Sequence, residues 1–136
     1  MKILIICSKA FYRNIPPIKE KLESFGHEIS LPNSYHNPQA EKESWALGEK
    51  EHSEFKARMF KQSKETIEKI DAVLTLNFDK NEQKNYIGGA TFLELYEAFM
   101  KNKKIYLYND IPEGMLYDEI QGFSPIVIHG NIDLVK

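Results

Sequence analysis

Apolar residues in this chain fall into short unbroken runs, and these alternate with longer stretches in which they recur at helical spacing. The first run, KILIIC at 2–7, is β-branched and apolar at successive positions, as in a strand covered on both faces. IPPIKEKLESFGHE then predicts a helix. Pro16 and Pro17 suit its first turn, Ile18, Leu22 and Phe25 mark its apolar face, and Gly26 is suited to cap its end. EISLP reads as a second strand. The polar segment from Asn33 to about Glu43, with Pro32 and Pro38, reads as a long loop. SEFKARMFKQSKETIEKI predicts a charged helix with Phe55, Met59, Thr66 and Ile70 near one stripe. DAVLTLNF is a third strand and DKNEQKNYIGG a loop. ATFLELYEAFMKNK is a helix with Phe92, Leu95, Tyr96 and Phe99 at helical spacing. KIYLYN, PEGMLYDEI and SPIVIHG complete the pattern as strand, short helix and strand.

Strands alternating with helices predict an α/β fold: a three-layer, flavodoxin- or Rossmann-like domain over residues 1–136. Its five-stranded parallel sheet is expected in the order 2-1-3-4-5. Ligands of such sheets bind outside the carboxyl ends of the strands. That edge would gather CSKAFYR after strand 1, NFDKNEQKNYIGG after strand 3 and NDIPEG after strand 4.

Composition changes this picture little. The 136 residues are 42% hydrophobic and 28% charged, as in a globular domain with a real core. Eighteen basic against twenty acidic residues give a net charge of −2, which argues against nucleic-acid polymers or anionic membranes as partners. A single cysteine precludes an internal disulfide and fits a reducing, cytoplasmic setting, and the N-terminal apolar run is too short to be a signal or a span. The four histidines show no metal spacing, so they point to no metal site.

Two places carry candidate chemistry. Cys7 and Arg13 have the C-x5-R spacing of a cysteine phosphatase, in which a thiolate attacks phosphorus and the arginine holds its oxygens. The five intervening residues contain no glycine to shape a phosphate cradle, Asn14 follows the arginine, and no Asp-Pro general acid occurs. The alternative for Cys7 is a packed residue at a strand end. The second place is NYIGGATFLELYEA. Gly88 and Gly89 precede a helix and let a ligand approach the backbone, and Glu94 sits about one turn in. Such a carboxylate can act as a nucleophile or stabilise an oxocarbenium ion, or it can be a surface glutamate of an amphipathic helix. Asn77, at the end of strand 3, is placed either for a ligand or for a turn.

With these residues in view, the chain resembles the nucleoside 2-deoxyribosyltransferase superfamily, which includes the deoxynucleoside 5′-monophosphate N-glycosidases. The likeness lies in a charged helix ending in KIDAVLTLNF, a variable loop, and GGATFLELYEAFMKNKKIYLY. Glu94, Leu95, Ala98, Lys103 and Lys104 fall into the family frame. The resemblance implies that Glu94 attacks the anomeric carbon of a nucleoside or nucleotide, with no cofactor, forming a glycosyl ester later released to a second base or to water. It implies that Ser8, Lys9, Phe11, Tyr12 and Arg13 line the substrate, with Phe11 or Tyr12 stacking on the base and the cations suiting a 5′-phosphate. It also implies a homodimer or higher homo-oligomer, with sites completed across the interface. The sequence departs from the family at two acidic positions. Ser63 stands about where one aspartate is common, and Asn85 and Tyr86 stand near another, where Asn85 could hydrogen-bond a base edge but cannot act as an acid. A non-catalytic nucleotide-binding module of the same fold is therefore the first alternative.

Overall fold

A computed structural model describes all residues, 1–136. The strands are β1 (Lys2–Ile6), β2 (Glu28–Ser30), β3 (Ala72–Thr75), β4 (Lys104–Leu107) and β5 (Ile126–Val127). All are parallel, in the order β2-β1-β3-β4-β5. The expected sheet and its strand order are thus observed.

Alternate residues of the central strands feed two cores. Ile3, Ile5, Ala72 and Leu74 face one side, where they meet Ile15, Ile18 and Leu22 of α1 (Ile15–Ser24) and the C-terminal Ile132 and Val135. Leu4, Ile6, Val73 and Ile105 face the other side. There they meet Ile67 of α3 (Glu49–Glu68), Leu95 and Ala98 of α4 (Gly89–Met100) and Ile120 of α5 (Tyr117–Gly122). Cover on both faces is why the strands read as continuous apolar runs. The tail after β5 lies on its own chain: the Tyr106 hydroxyl donates to the Lys136 carbonyl at 2.7 Å, and His27 Nε2 lies 3.1 Å from the Val135 carbonyl.

The structure corrects the expected loop over residues 33–43. It contains the start of α2 (Ala40–Leu47), and α3 begins at Glu49, before the expected Ser53. The α2 segment has no apolar stripe, because only Ser44 is buried along it. Its hold on α3 is lateral: the Trp45 ring stacks on His52 at 3.8 Å and 13°, and Ser44 Oγ lies 3.1 Å from His52 Nδ1. Gly48 separates the two helices at φ 141°, a conformation open mainly to glycine.

Two stripes also differ from expectation. On α3 the buried positions are Phe55, Ser63 and Ile67, while Thr66 is only half-buried. On α4 they are Thr91, Leu95 and Ala98, leaving Tyr96 and Phe99 exposed. Periodicity finds an apolar face, and where aromatics are abundant it does not find which half of that face meets the sheet.

Candidate functional site

The carboxyl edge holds a cavity of about 290 Å³, walled by the turn after β1, the segment after β2, α3 and the start of α4. The polypeptide leaves β1 at Cys7 and tightens at once into a 3-10 turn (Lys9–Asn14), whose second amide, that of Ala10, donates to Ser8 Oγ at 3.4 Å. Ser8, Lys9 and Tyr12 thereby face the cavity. Opposite them, Gly88, Gly89 and Thr91 lead into α4, and Glu94 lies one turn inside it. Gly88 permits a close approach: a Cβ there would stand 3.0 Å from the Tyr86 hydroxyl.

Glu94 is half-buried, and desolvation of its carboxyl pushes its pKa up to about 7. A hydrogen bond from Ser63 Oγ to Glu94 Oε2, at 3.2 Å, and the Lys56 cation pull the other way without cancelling that effect. Glu94 thus changes charge near neutrality in a walled cavity, a common property of acid–base or nucleophilic groups.

Seven of the residues singled out from the sequence for ligand contact come together here with Glu94 counted among them: Ser8, Lys9, Tyr12, Tyr86, Gly88, Gly89 and Glu94. Four do not. Phe11 is 4% exposed and turns into the core, edge-on to Phe78 at 5.5 Å and to Tyr86 at 6.5 Å, so it supports the cavity wall and offers no face to a base. Arg13 is exposed and does not line the cavity. Asn77 is fully buried and clamps two loops, donating to the carbonyls of Asn109 and Asp110 at 3.0 and 2.9 Å and accepting from the Asn109 amide at 2.8 Å. Asn85 takes a positive φ of 55°, donates its amide to Asp79 Oδ1 at 3.0 Å and lines a separate hollow of about 680 Å³ beyond Tyr86.

Cys7 lines the cavity, but burial, and then the Glu94 charge, push its thiol pKa up to about 12. A phosphatase nucleophile needs the opposite shift and a neighbouring cation. With Arg13 outside the cavity, the C-x5-R spacing does not assemble into a phosphate-binding loop. Burial, together with the charges of Cys7, Glu94 and Glu41, also raises the Tyr12 phenol, so it stays protonated and can donate. No cluster of three or more His, Cys, Asp or Glu side chains is placed to hold a metal ion. No helix is long and apolar enough to cross a membrane.

The sequence reading missed Asn33, Lys56 and Lys80 as cavity residues. Lys80 Nζ stands 4.6 Å over the Tyr86 ring, and Lys56 Nζ is 3.6 Å from Glu41 Oε1. A signal for Ser63 was present, since it continues the four-residue spacing of Phe55, Met59 and Ile67. A lone hydroxyl on an apolar stripe needs a buried partner. Asn33 left no such trace, because its role depends on a loop path.

No family model matches the chain, and no curated protein matches it in sequence. Solved structures do match in fold. A 2-deoxyribosyltransferase from the psychrotolerant bacterium Bacillus psychrosaccharolyticus aligns with TM-score 0.59 and 18% identity, over 90% of this chain and 81% of that one. A CMP N-glycosidase of Clostridium botulinum aligns with TM-score 0.55 and 13% identity, over 98% and 93%. What is shared at these identities is the fold alone.

Proposed function

We propose that this protein cleaves or exchanges the N-glycosidic bond of a nucleoside 5′-monophosphate or nucleoside, with Glu94 as the nucleophile. The observation that carries the reading is the placement of Glu94: a carboxyl one turn inside α4, behind Gly88 and Gly89, facing a cavity at the carboxyl edge of the sheet. The fold shared with a deoxyribosyltransferase and an N-glycosidase supports it.

In this reading an oxygen of ionised Glu94 attacks the anomeric carbon. The carbon–nitrogen bond breaks, its electron pair leaves with the base, and the base takes up a proton. The sugar is held as an ester on Glu94 until water or a second base attacks the same carbon and frees the carboxylate, with net retention. Ionisation is required for attack, so the rate rises with pH through about 7 and then levels. Lys9 and Lys80, with the free amides at the start of α4, supply positive potential for a phosphate, and the accessible rings of Tyr12 and Tyr86 supply surfaces for a base.

The proposal extends to assembly as a homodimer. Leu93, Tyr96, Phe99 and Met100 leave an apolar face of α4 exposed, beside a hollow that reaches Glu94 and is lined by Phe60, Leu93 and Tyr96. Light scattering across a concentration series reads the mass directly, and a monomer at every concentration would end this part of the reading.

The experiment that tests the activity is incubation with a panel of nucleosides and 5′-monophosphates, with chromatography of released base. Release by the wild type, abolished in Glu94→Gln with ligand binding retained, is the expected result. Binding of nucleotides with no release from any member of the panel would favour the non-catalytic module.

A further inference from the structure

The Glu94 carboxyl does not stand alone; a chain of neutral groups runs from it to the segment after β2. Ser63 Oγ lies 3.2 Å from Glu94 Oε2 and 2.7 Å from Asn33 Nδ2. The same Asn33 nitrogen lies 3.1 Å from the Met59 carbonyl oxygen. A backbone carbonyl only accepts, so the amide group of Asn33 must present its nitrogen there. Its second N–H then points at Ser63 Oγ. Ser63, 8% exposed, has one hydrogen to give.

Serine or threonine inside a helix can donate back to the carbonyl four residues earlier, as Thr66 does to Gln62, and for Ser63 that carbonyl is Met59's. Asn33 already occupies it. The bond to Met59 is thereby disfavoured, an acceptor site on Ser63 is filled, and the hydroxyl hydrogen is directed to Glu94. We propose that Asn33 is a positioning residue, which aims the Ser63 hydroxyl at the Glu94 carboxylate by occupying the Met59 carbonyl. This inference deepens the glycosyl-transfer reading and rests on it for its catalytic meaning, while the aiming itself is a property of the free protein.

The chain of groups supports the ionised form of Glu94 without a second negative charge. The other charged or titratable groups facing the cavity are Lys56 on α3, Cys7 and Tyr12 after β1, Glu41 on α2, and Lys9, Lys80 and Tyr86 from the loops. None is interposed between Ser63 and Glu94.

The test is the titration of Glu94 itself, followed by carboxyl-carbon NMR of glutamate-labelled protein without ligand, the Glu94 signal being assigned by its loss in Glu94→Gln. Ser63→Ala should move the midpoint upward by about one pH unit or more, as expected for losing a hydrogen bond to a charged group. Asn33→Ala and Asn33→Leu should each move it in the same direction although Ser63 is still present. Adding Asn33→Ala to Ser63→Ala should add little further, and Ser63→Thr, which keeps the hydroxyl, should restore the wild-type midpoint. Two Asn33 variants are included so that one failing to fold, judged by circular dichroism, leaves the other. A wild-type midpoint in a folded Asn33 variant, beside a shifted Ser63→Ala, would overturn the inference, and so would the two effects adding in full. The readout needs no turnover, so a failed activity panel with shifted midpoints would reject the enzymatic reading alone. If the wild type does release base, the rise of kcat/KM with pH should shift with the NMR midpoint in each variant.

Discussion

Glu94→Gln should stabilise the protein above neutral pH and leave its stability nearly unchanged in acid. The carboxyl of Glu94 has a pKa of about 7 in the folded chain, against an ordinary value of 4.5 for the unfolded one. The folded state therefore binds this proton more tightly. Below the unfolded value both states are protonated and nothing is lost. As pH rises, the unfolded chain ionises first, and stability falls until the folded group ionises too. The gap of roughly 2.5 units, at ~1.36 kcal/mol each, makes the loss about 3 kcal/mol, complete above pH ~7.5. Glutamine is nearly the same shape and carries no charge, so it can keep the contact with Ser63 while removing the titration. Urea unfolding of both proteins from about pH 4.5 to 8.5 gives the difference curve, in which titrations common to both cancel. The curve should start near zero and climb through the window between the two pKa values. A flat difference, or one that grows toward acid, would refute desolvation as the dominant influence on Glu94.

Other changes have equally definite outcomes. Gly88→Ala places a methyl 3.0 Å from the Tyr86 hydroxyl and 3.4 Å from its ring, so the ring must swing and kcat/KM for base release should fall about tenfold or more. Gly89→Ala, where nothing lies within 4 Å, is the packing control and should leave the Tyr86 ring and the stability of the free protein as in wild type. The buried hydroxyl of Thr75 has no partner, so Thr75→Val should raise stability by about 1 kcal/mol in urea melts, and a loss would mean that the hydroxyl is satisfied. Cys7→Ser should cost some stability, since it buries a hydroxyl in an apolar setting, and should spare base release. Loss of all turnover in a folded Cys7→Ser protein would restore the thiol as a candidate.

The parallel sheet was legible because both its faces are covered, which makes each central strand a continuous apolar run that no surface element imitates. Gly26 was legible too, as the turn where α1 ends, and it sits at φ 90°. The α2 helix was not, because its one buried residue is a serine and its packing depends on Trp45 meeting His52 of the next helix. At the cavity, Glu94 and the paired glycines could be found from local order alone, since one helix start carries all three. Phe11, Tyr12 and Arg13 were harder. Three neighbours in a tight turn point in three directions, and only the fold sends Phe11 inward, Tyr12 to the cavity and Arg13 to solvent. Lys56 and Lys80 belong to segments far apart in the chain, and only the sheet order brings them to one edge.

Nucleophilic catalysis by Glu94 requires a covalent bond between its carboxyl and a sugar. The most direct measurement is rapid acid quenching during turnover of a 5′-monophosphate, then mass spectrometry of the peptide that contains Glu94. A fraction of that peptide should be heavier by one sugar phosphate, with the adduct on the Glu94 carboxyl and absent from Glu94→Gln. Base release at the wild-type rate by Glu94→Gln, with no adduct at any quench time, would contradict a nucleophilic Glu94.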